Sequence, residues 1–420
     1  MGANSFGMAI TIGIQLASLP LFLHYWDIST YGVWLMLSAV PSYLSMADVG
    51  MVAVAGNKMT MAMGKGNLTE ANKIFQSAQV FMILVCGFVA LLVLLIVLFV
   101  PFHGLEDLER RIALIALSGG VLLSLFGGLS EAVFRSTERY ALGTLLGHLV
   151  RLGEWLGMVT GLMLVGSFSV IALCSFAARL FGTILVIWYA SSGKHGLRWG
   201  KDLANKSEII ALIKPAIGFM ILPMSNALSF QGVTLLVGTL LGPAMLSVFN
   251  TYRTISRITV QMTAMFSHAL WPEFSRLFGN EGMKAVQPIY KRSYMIGLAQ
   301  AIGLSTLLYF ISPWLLNFWT HGQIKFISDL MLIMLVYAAI GGVWHVPRGL
   351  LMAINQPMKL AQWTLLAGIG VIPLTWWFGH YWQLQGVAMA MVFSELFIAV
   401  ICIKLAHDAI SSRLSMESSN

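Results

Sequence analysis

The sequence predicts an all-α integral membrane protein with twelve transmembrane helices in two parallel six-helix lobes. Composition, a regular succession of apolar runs and a one-sided distribution of cations carry that expectation. Of 420 residues, 58% are hydrophobic and only 10% charged, against roughly 25% charged in a soluble domain, which excludes a soluble fold. A spanning helix takes about 20 residues, so twelve leave room for short loops and for no soluble domain. A net charge of +8 would suggest nucleic acid in a soluble chain. In a membrane protein, cytoplasmic loops collect Lys and Arg, so nucleic acid is not an expected partner.

The apolar runs lie at 5–23, 31–55, 76–100, 112–134, 141–165, 169–190, 209–241, 246–271, 292–316, 327–351, 360–378 and 384–406. The first lacks the basic region and small-residue cleavage site of a signal peptide, so it is expected to remain in the mature chain. The second carries Pro41 and Asp48. The seventh is longer than a bilayer needs, and Pro215 and Pro223 predict a bend. The eighth is the least apolar. Cys86, Cys174 and Cys402 fall inside apolar runs without paired spacing or a His cluster, so they read as small core residues.

With the amino terminus inside, seventeen of the 25 cations fall in even-numbered loops or at the carboxyl end, Arg348 among them. Three (Arg110, Arg111, Lys325) fall in odd-numbered loops, and five (Arg151, Arg179, Lys214, Arg253, Arg257) lie within spans. This asymmetry predicts cytoplasmic termini. The longest basic loop lies at the midpoint, giving an N-terminal lobe at 1–192, a linker at 193–207, a C-terminal lobe at 208–410 and a cytoplasmic tail at 411–420. The Gly-bearing segments 64–73 and 279–288 occupy equivalent places after the second and eighth helices. An even number of helices per half makes the repeat parallel, which predicts a cavity between the lobes. Basic, Gly-rich composition alone would also make the two loops alike.

No metalloprotease, paired-Cys, P-loop or nucleophile-elbow motif is present. The informative groups are ionisable residues inside spans, each costing roughly 2.5–3.5 kcal/mol at mid-bilayer. In the eighth helix Asn250, Arg253, Arg257, Gln261, Ala264 and His268 form one stripe at helical spacing. Two arginines a turn apart repel, so the stripe is expected to face a wet cavity and an anionic ligand. Structural pairing with acids such as Asp48 or Glu131 is the alternative. In the fifth helix Gly143, Gly147, Gly153, Gly157 and Gly161 predict a packing face, and Thr144, His148, Arg151 and Trp155 a polar one. Glu154 is placed to pair with Arg151; Arg179 needs a partner, and Lys214 is expected to snorkel. Asp48, Glu131, Glu154 and Glu395 fit proton or sodium binding and equally fit counter-ion roles. Trp314, Trp319, Trp376, Trp377, Tyr381 and Trp382 cluster near outer ends as an aromatic belt would.

The chain resembles the multidrug/oligosaccharidyl-lipid/polysaccharide exporter (MATE/MOP-like) superfamily, and within it the bacterial O-antigen and polysaccharide flippases of the Wzx type. The residues that carry this are Pro20, Tyr31-Gly32-Val33-Trp34, Pro41, Asp48-Val49-Gly50 and Pro272-Glu273-Phe274-Ser275. The resemblance implies a non-enzymatic flippase in the bacterial inner membrane. It would move an undecaprenyl-diphosphate-linked oligosaccharide between leaflets by alternating access, for O-antigen, lipopolysaccharide, capsule or exopolysaccharide synthesis. It implies membrane lipids as partners, with a polysaccharide polymerase and a chain-length regulator, no cofactor, and coupling to a proton or sodium gradient. Substrate-binding residues would be Asn250, Arg253, Arg257, Gln261, His148, Arg151 and Arg179, with Asp48, Glu131, Glu154 and Glu395 for coupling. A drug exporter of the same fold is one rival, and an integral-membrane polymerase or glycosyltransferase another. The interior excess of cations argues against the first, and the short odd-numbered loops against the second.

Overall fold

The structure, a computed structural model, describes residues 2–99, 107–192, 196–354, 356 and 358–419. Lys194 lies outside them, and so does the side chain of Lys214. The described residues form helices and turns, with no strand among them.

The apolar runs become α1 (Gly2–Tyr25), α2 (Ile28–Ser42) with α3 (Met51–Gly64), α4 (Leu68–Phe99), α5 (Leu108–Ser136), α6 (Tyr140–Leu164) and α7 (Phe168–Ser191). They continue as α8 (Lys206–Ala227) with α9 (Val233–Leu241), α10 (Pro243–Glu281), α11 (Met283–Trp319), α12 (Ser328–Val343) with α13 (His345–Ala353), and α14 (Met358–Ser419). Eight segments are long and apolar enough to cross a membrane, or nine with the α2–α3 pair, bent by 40°. α14 contains two legs separated at Trp382 and Gln383. α6 and α10, which carry Arg151 with Glu154 and Arg253 with Arg257, fall outside that set because polar side chains dilute their hydropathy. With those additions the helices account for all twelve runs.

Sequence chemistry explains the breaks. The second run is two helices joined by a 3-10 turn at Tyr43–Met46 and a left-handed step at Val49 and Gly50. Asp48 therefore sits at a helix junction, where its carboxylate accepts from Gly50 N at 3.1 Å and Val52 N at 3.4 Å, capping otherwise orphaned amides. The seventh run contains a π turn at Leu228–Gly232, after Pro223. The turns at 64–73 and 279–288 pivot on Gly66 and Gly282, both at positive φ. α10 does not end with its apolar run at 271 but continues through Pro272 to Glu281. On that exposed turn Arg276 Nη2 donates to Glu273 at 2.7 Å and holds its carboxyl below the usual carboxylate range.

Contacts divide the described chain into two units, Met1–Asp27 with Val33–Pro223, and Ile28–Gly32 with Met224–Asn420. In the first, α7 packs against both α5 and α6, and α3 against α4 and α5. The segment 196–205 is strapped to α4: Asn72 Nδ2 donates to Gly196 O, Arg198 N to Asn72 Oδ1, Leu203 N to Gln76 Oε1 and Asn205 N to Ser77 Oγ, all within 3.0 Å. In the second unit α10 packs against α9, α11, α12 and α13. Ser247 Oγ donates to Ile28 O at 2.6 Å there. Cys86 and Cys402 are buried and Cys174 partly so, all as free thiols. Of the expected belt aromatics, Trp314, Trp376, Trp377, Tyr381 and Trp382 are each more than half exposed, whereas Trp319 is 6% exposed and belongs to the core.

Candidate functional site

The second unit encloses a cavity of about 420 Å³ between α8, the π turn, α10, α12, α13 and α14. Its charged lining is Arg257, Arg348 and Glu395, accompanied by Tyr337, Trp344, His345, Asn226 and the hydroxyls of Ser225, Ser229, Thr364 and Ser394.

Arg253 and Arg257 share a stripe in the sequence but have separate environments in the fold. Arg253 is 1% exposed and does not line the cavity. Its Nη1 donates to Phe230 O at 3.1 Å, and its Nη2 to Thr234 Oγ1 at 2.8 Å and Asn250 Oδ1 at 2.9 Å. The Thr234 hydroxyl donates to the same Phe230 carbonyl at 2.8 Å. Arg253 and Asn250 therefore pin the π turn where α8 passes into α9, because a π turn offsets carbonyls that a side chain must then satisfy. Arg257 faces the cavity, and among the described residues no acidic group lies within 4 Å of it. The Phe230 ring accepts both guanidinium groups, whose carbons lie 3.8 and 4.7 Å from its centroid. That π face offsets part of the repulsion expected between the two cations. Gln261 lies farther along α10 outside the cavity lining, and His268 is exposed.

Glu395 is held by Trp344, whose Nε1 donates to Glu395 Oε1 at 2.7 Å. Trp344 occupies the break between α12 and α13, and Ser267 Oγ donates to the carbonyl of the next residue, His345, at 2.6 Å. Gly341 makes room for the carboxylate: a Cβ there would lie 3.0 Å from Glu395 Oε1. Arg348, counted in a cytoplasmic loop from the sequence, lies on α13 and lines the cavity, 5.8 Å from the Trp344 ring centroid. The apolar run ended near it, so periodicity treated it as flank. The amphipathic order Trp344-His345-Val346-Pro347-Arg348 was the available signal for all of these missed residues.

In the first unit His148, Arg151 and Arg179 come together with Glu131 around a cavity of about 290 Å³ formed by α5, α6 and α7. Arg151 does not take Glu154 as its partner. Glu154 pairs with Arg179 across α6 and α7, and Arg151 Nη1 donates to Thr11 Oγ1 at 3.3 Å. Glu131 also opens onto a cavity of about 310 Å³ with Asp48, Arg135 and Tyr140. The expected glycine face is only partly a packing face. Gly143, Gly157 and Gly161 meet neighbouring helices, whereas a Cβ on Gly147 or Gly153 would meet open space.

The Glu154–Arg179 pair is 25% and 19% exposed, so removing one partner strands a poorly solvated charge. Glu154→Gln is expected to lower stability by about 1–3 kcal/mol, and Arg179→Gln in the same background to recover part of that loss. Thermal unfolding of the two single variants and the double variant checks it; additive losses would show that the pair is uncoupled.

No family model and no curated relative matches the sequence. Solved structures match in fold. One is an inward-facing conformation of a multidrug resistance MATE family transporter of the MOP superfamily (11% identity, 96% of this chain and 99% of that one, TM-score 0.76). A second is an outward-facing conformation of such a transporter (12% identity, 98% and 96% coverage, TM-score 0.69). A third is a MOP superfamily transporter from Pyrococcus furiosus Vc1, described as having a binding pocket of reverse polarity that suggests a different function (12% identity, 97% and 93% coverage, TM-score 0.69). At such identities the likeness speaks to architecture, and over nearly its whole length this chain has the fold of MATE transporters of the MOP superfamily.

Proposed function

We propose that this protein is a multi-pass transporter of the bacterial inner membrane, with both termini cytoplasmic. It moves a polyprenyl-diphosphate-linked oligosaccharide from the inner to the outer leaflet by alternating access, in the synthesis of O-antigen or a related surface polysaccharide. The observation that carries this reading is the cationic cavity of the second unit, where two arginines face one carboxylate already engaged by Trp344. Guanidinium groups bind phosphate oxygens through short, often bidentate, charge-assisted bonds. A volume of about 420 Å³ suits a headgroup and its nearest sugar, with Trp344, Tyr337 and the ring of hydroxyls to meet that sugar while the lipid tail stays in the membrane. The same polarity disfavours an organic cation. The transporter from Pyrococcus furiosus Vc1, whose reverse pocket polarity is described as suggesting a different function, is in keeping with a reading drawn from the sign of the pocket. Glu395 and Glu131, which face cavities without a cation within 4 Å among the described residues, are the carboxylates we assign to coupling with a proton or sodium gradient.

Proteoliposomes loaded with a fluorescent diphosphate-linked lipid oligosaccharide provide the test. The wild type is expected to move that lipid between leaflets and to leave a neutral glycolipid of equal tail length in place. Export of a cationic dye without movement of the diphosphate lipid would overturn the proposal in favour of drug export.

A further inference from the structure

An apolar groove of about 480 Å³ runs between α6 and α7 on the first unit, and the proposed transport reaction makes no use of it. Its walls are Leu149, Phe181, Leu185 and Trp188, all more than 40% exposed, and Gly153 and Gly182 also line it. A Cβ on Gly153 would meet open space, so this mid-helix glycine widens a groove without permitting any helix contact. From Ala178 to Tyr189 the groove follows α7 for roughly 16 Å at 1.5 Å per residue, about half of the ~30 Å hydrocarbon core of a bilayer. One end carries Trp188 and Tyr189, side chains suited to the headgroup level. At that end Arg139 precedes α6, its guanidinium carbon 5.3 Å from the Tyr189 ring centroid and 5.5 Å from that of Phe134. Among the described residues no carboxylate lies within 4 Å of Arg139.

We propose that this groove binds one acyl chain of an anionic phospholipid, whose phosphate meets Arg139. An almost entirely apolar trough one leaflet deep, ending at aromatic rings and a cation with no carboxylate beside it among the described residues, matches the length and charge order of such a lipid. A bilayer-crossing polyprenyl chain would overrun it, and a protein helix would leave Arg139 without a counter-charge.

Native mass spectrometry of the full chain, exchanged into phosphatidylglycerol or phosphatidylcholine, tests this. The wild type is expected to retain phosphatidylglycerol in preference to phosphatidylcholine. Arg139→Gln should lose that preference, with retention of phosphatidylglycerol roughly tenfold lower, equivalent to about 1.4 kcal/mol, and Arg139→Lys should restore most of it. Gly153→Leu, which fills the groove without a backbone clash, should lower retention of both lipids while the melting temperature holds. Wild-type retention of phosphatidylglycerol by either Arg139→Gln or Gly153→Leu, or a wild type that dimerises without bound lipid, would overturn the proposal.

Discussion

Arg253→Ala is expected to weaken the fold and Arg257→Ala to weaken transport, although the two side chains lie one helical turn apart. Arg253 donates three hydrogen bonds in a fully buried setting, and hydrogen bonds to charged groups contribute about 1.5–3 kcal/mol each. Burying a guanidinium without a carboxylate costs several kcal/mol, so the wild-type network is partly self-cancelling. Truncation forfeits the bonds, takes the guanidinium donor away from Thr234 Oγ1 and Asn250 Oδ1, and opens a void against two aromatic rings. The net expectation is a loss of about 2–4 kcal/mol, a large share of a typical 5–15 kcal/mol of total stability. Among the described residues Arg257 makes no such bonds, and its guanidinium lies over the Phe230 ring. Arg257→Ala should therefore hold its melting temperature near wild type and slow diphosphate-lipid translocation roughly tenfold to hundredfold, the value of one charge-assisted contact. Arg348→Ala should act in the same direction. Melting curves and proteoliposome rates for Arg253→Ala and Arg257→Ala decide the matter. An unfolded Arg257→Ala, or a stable Arg253→Ala with normal packing, would reverse the two assignments.

The same pair shows how much a sequence of this kind can reveal. Membrane-spanning helices are written in composition, since a 20-residue apolar run has few other fates, and every run falls on a helix or a broken helix pair, although α3, α4, α10 and α11 extend well beyond their apolar runs. Periodicity placed Arg253 and Arg257 on one face, but a face is only an angle about the helix axis. Which of the two meets Phe230, Thr234 and Asn250 depends on the π turn after Pro223, an element with no repeat pattern of its own. Glu154 shows the reverse failure: its local neighbour Arg151 was visible in the sequence, and its actual partner Arg179 lies on the next helix. Arg348, Trp344 and His345 were hidden because one apolar run covered both α12 and the short α13, and the break at Trp344 that turns them toward the cavity has no mark in composition. Long-range partnership, rather than element type, is what the chain left unwritten.

Glycines on α6 supply a second contrast, in which substitutions on one helix should have opposite signs. A Cβ on Gly161 would come within 2.7 Å of the Ile171 Cα, and one on Gly157 within 2.6 Å of the Cys174 carbonyl oxygen. Both obstacles are backbone, so no rotamer change relieves them, and α6 and α7 must move apart. Gly161→Val and Gly157→Val are each expected to cost about 2–3 kcal/mol, the upper range for overpacked sites. The displacement should also loosen the Glu154–Arg179 pair that bridges the same two helices. Gly153→Ala meets nothing within 4 Å and replaces a poor helix former with the best one, a gain of about 1 kcal/mol. Thermal unfolding of Gly153→Ala, Gly157→Val and Gly161→Val in one detergent separates close packing from composition. If glycine were present on α6 merely because small residues suit membrane helices, all three changes would move stability alike. If backbone approach is the cause, Gly153→Ala should melt above the wild type, with Gly157→Val and Gly161→Val well below it.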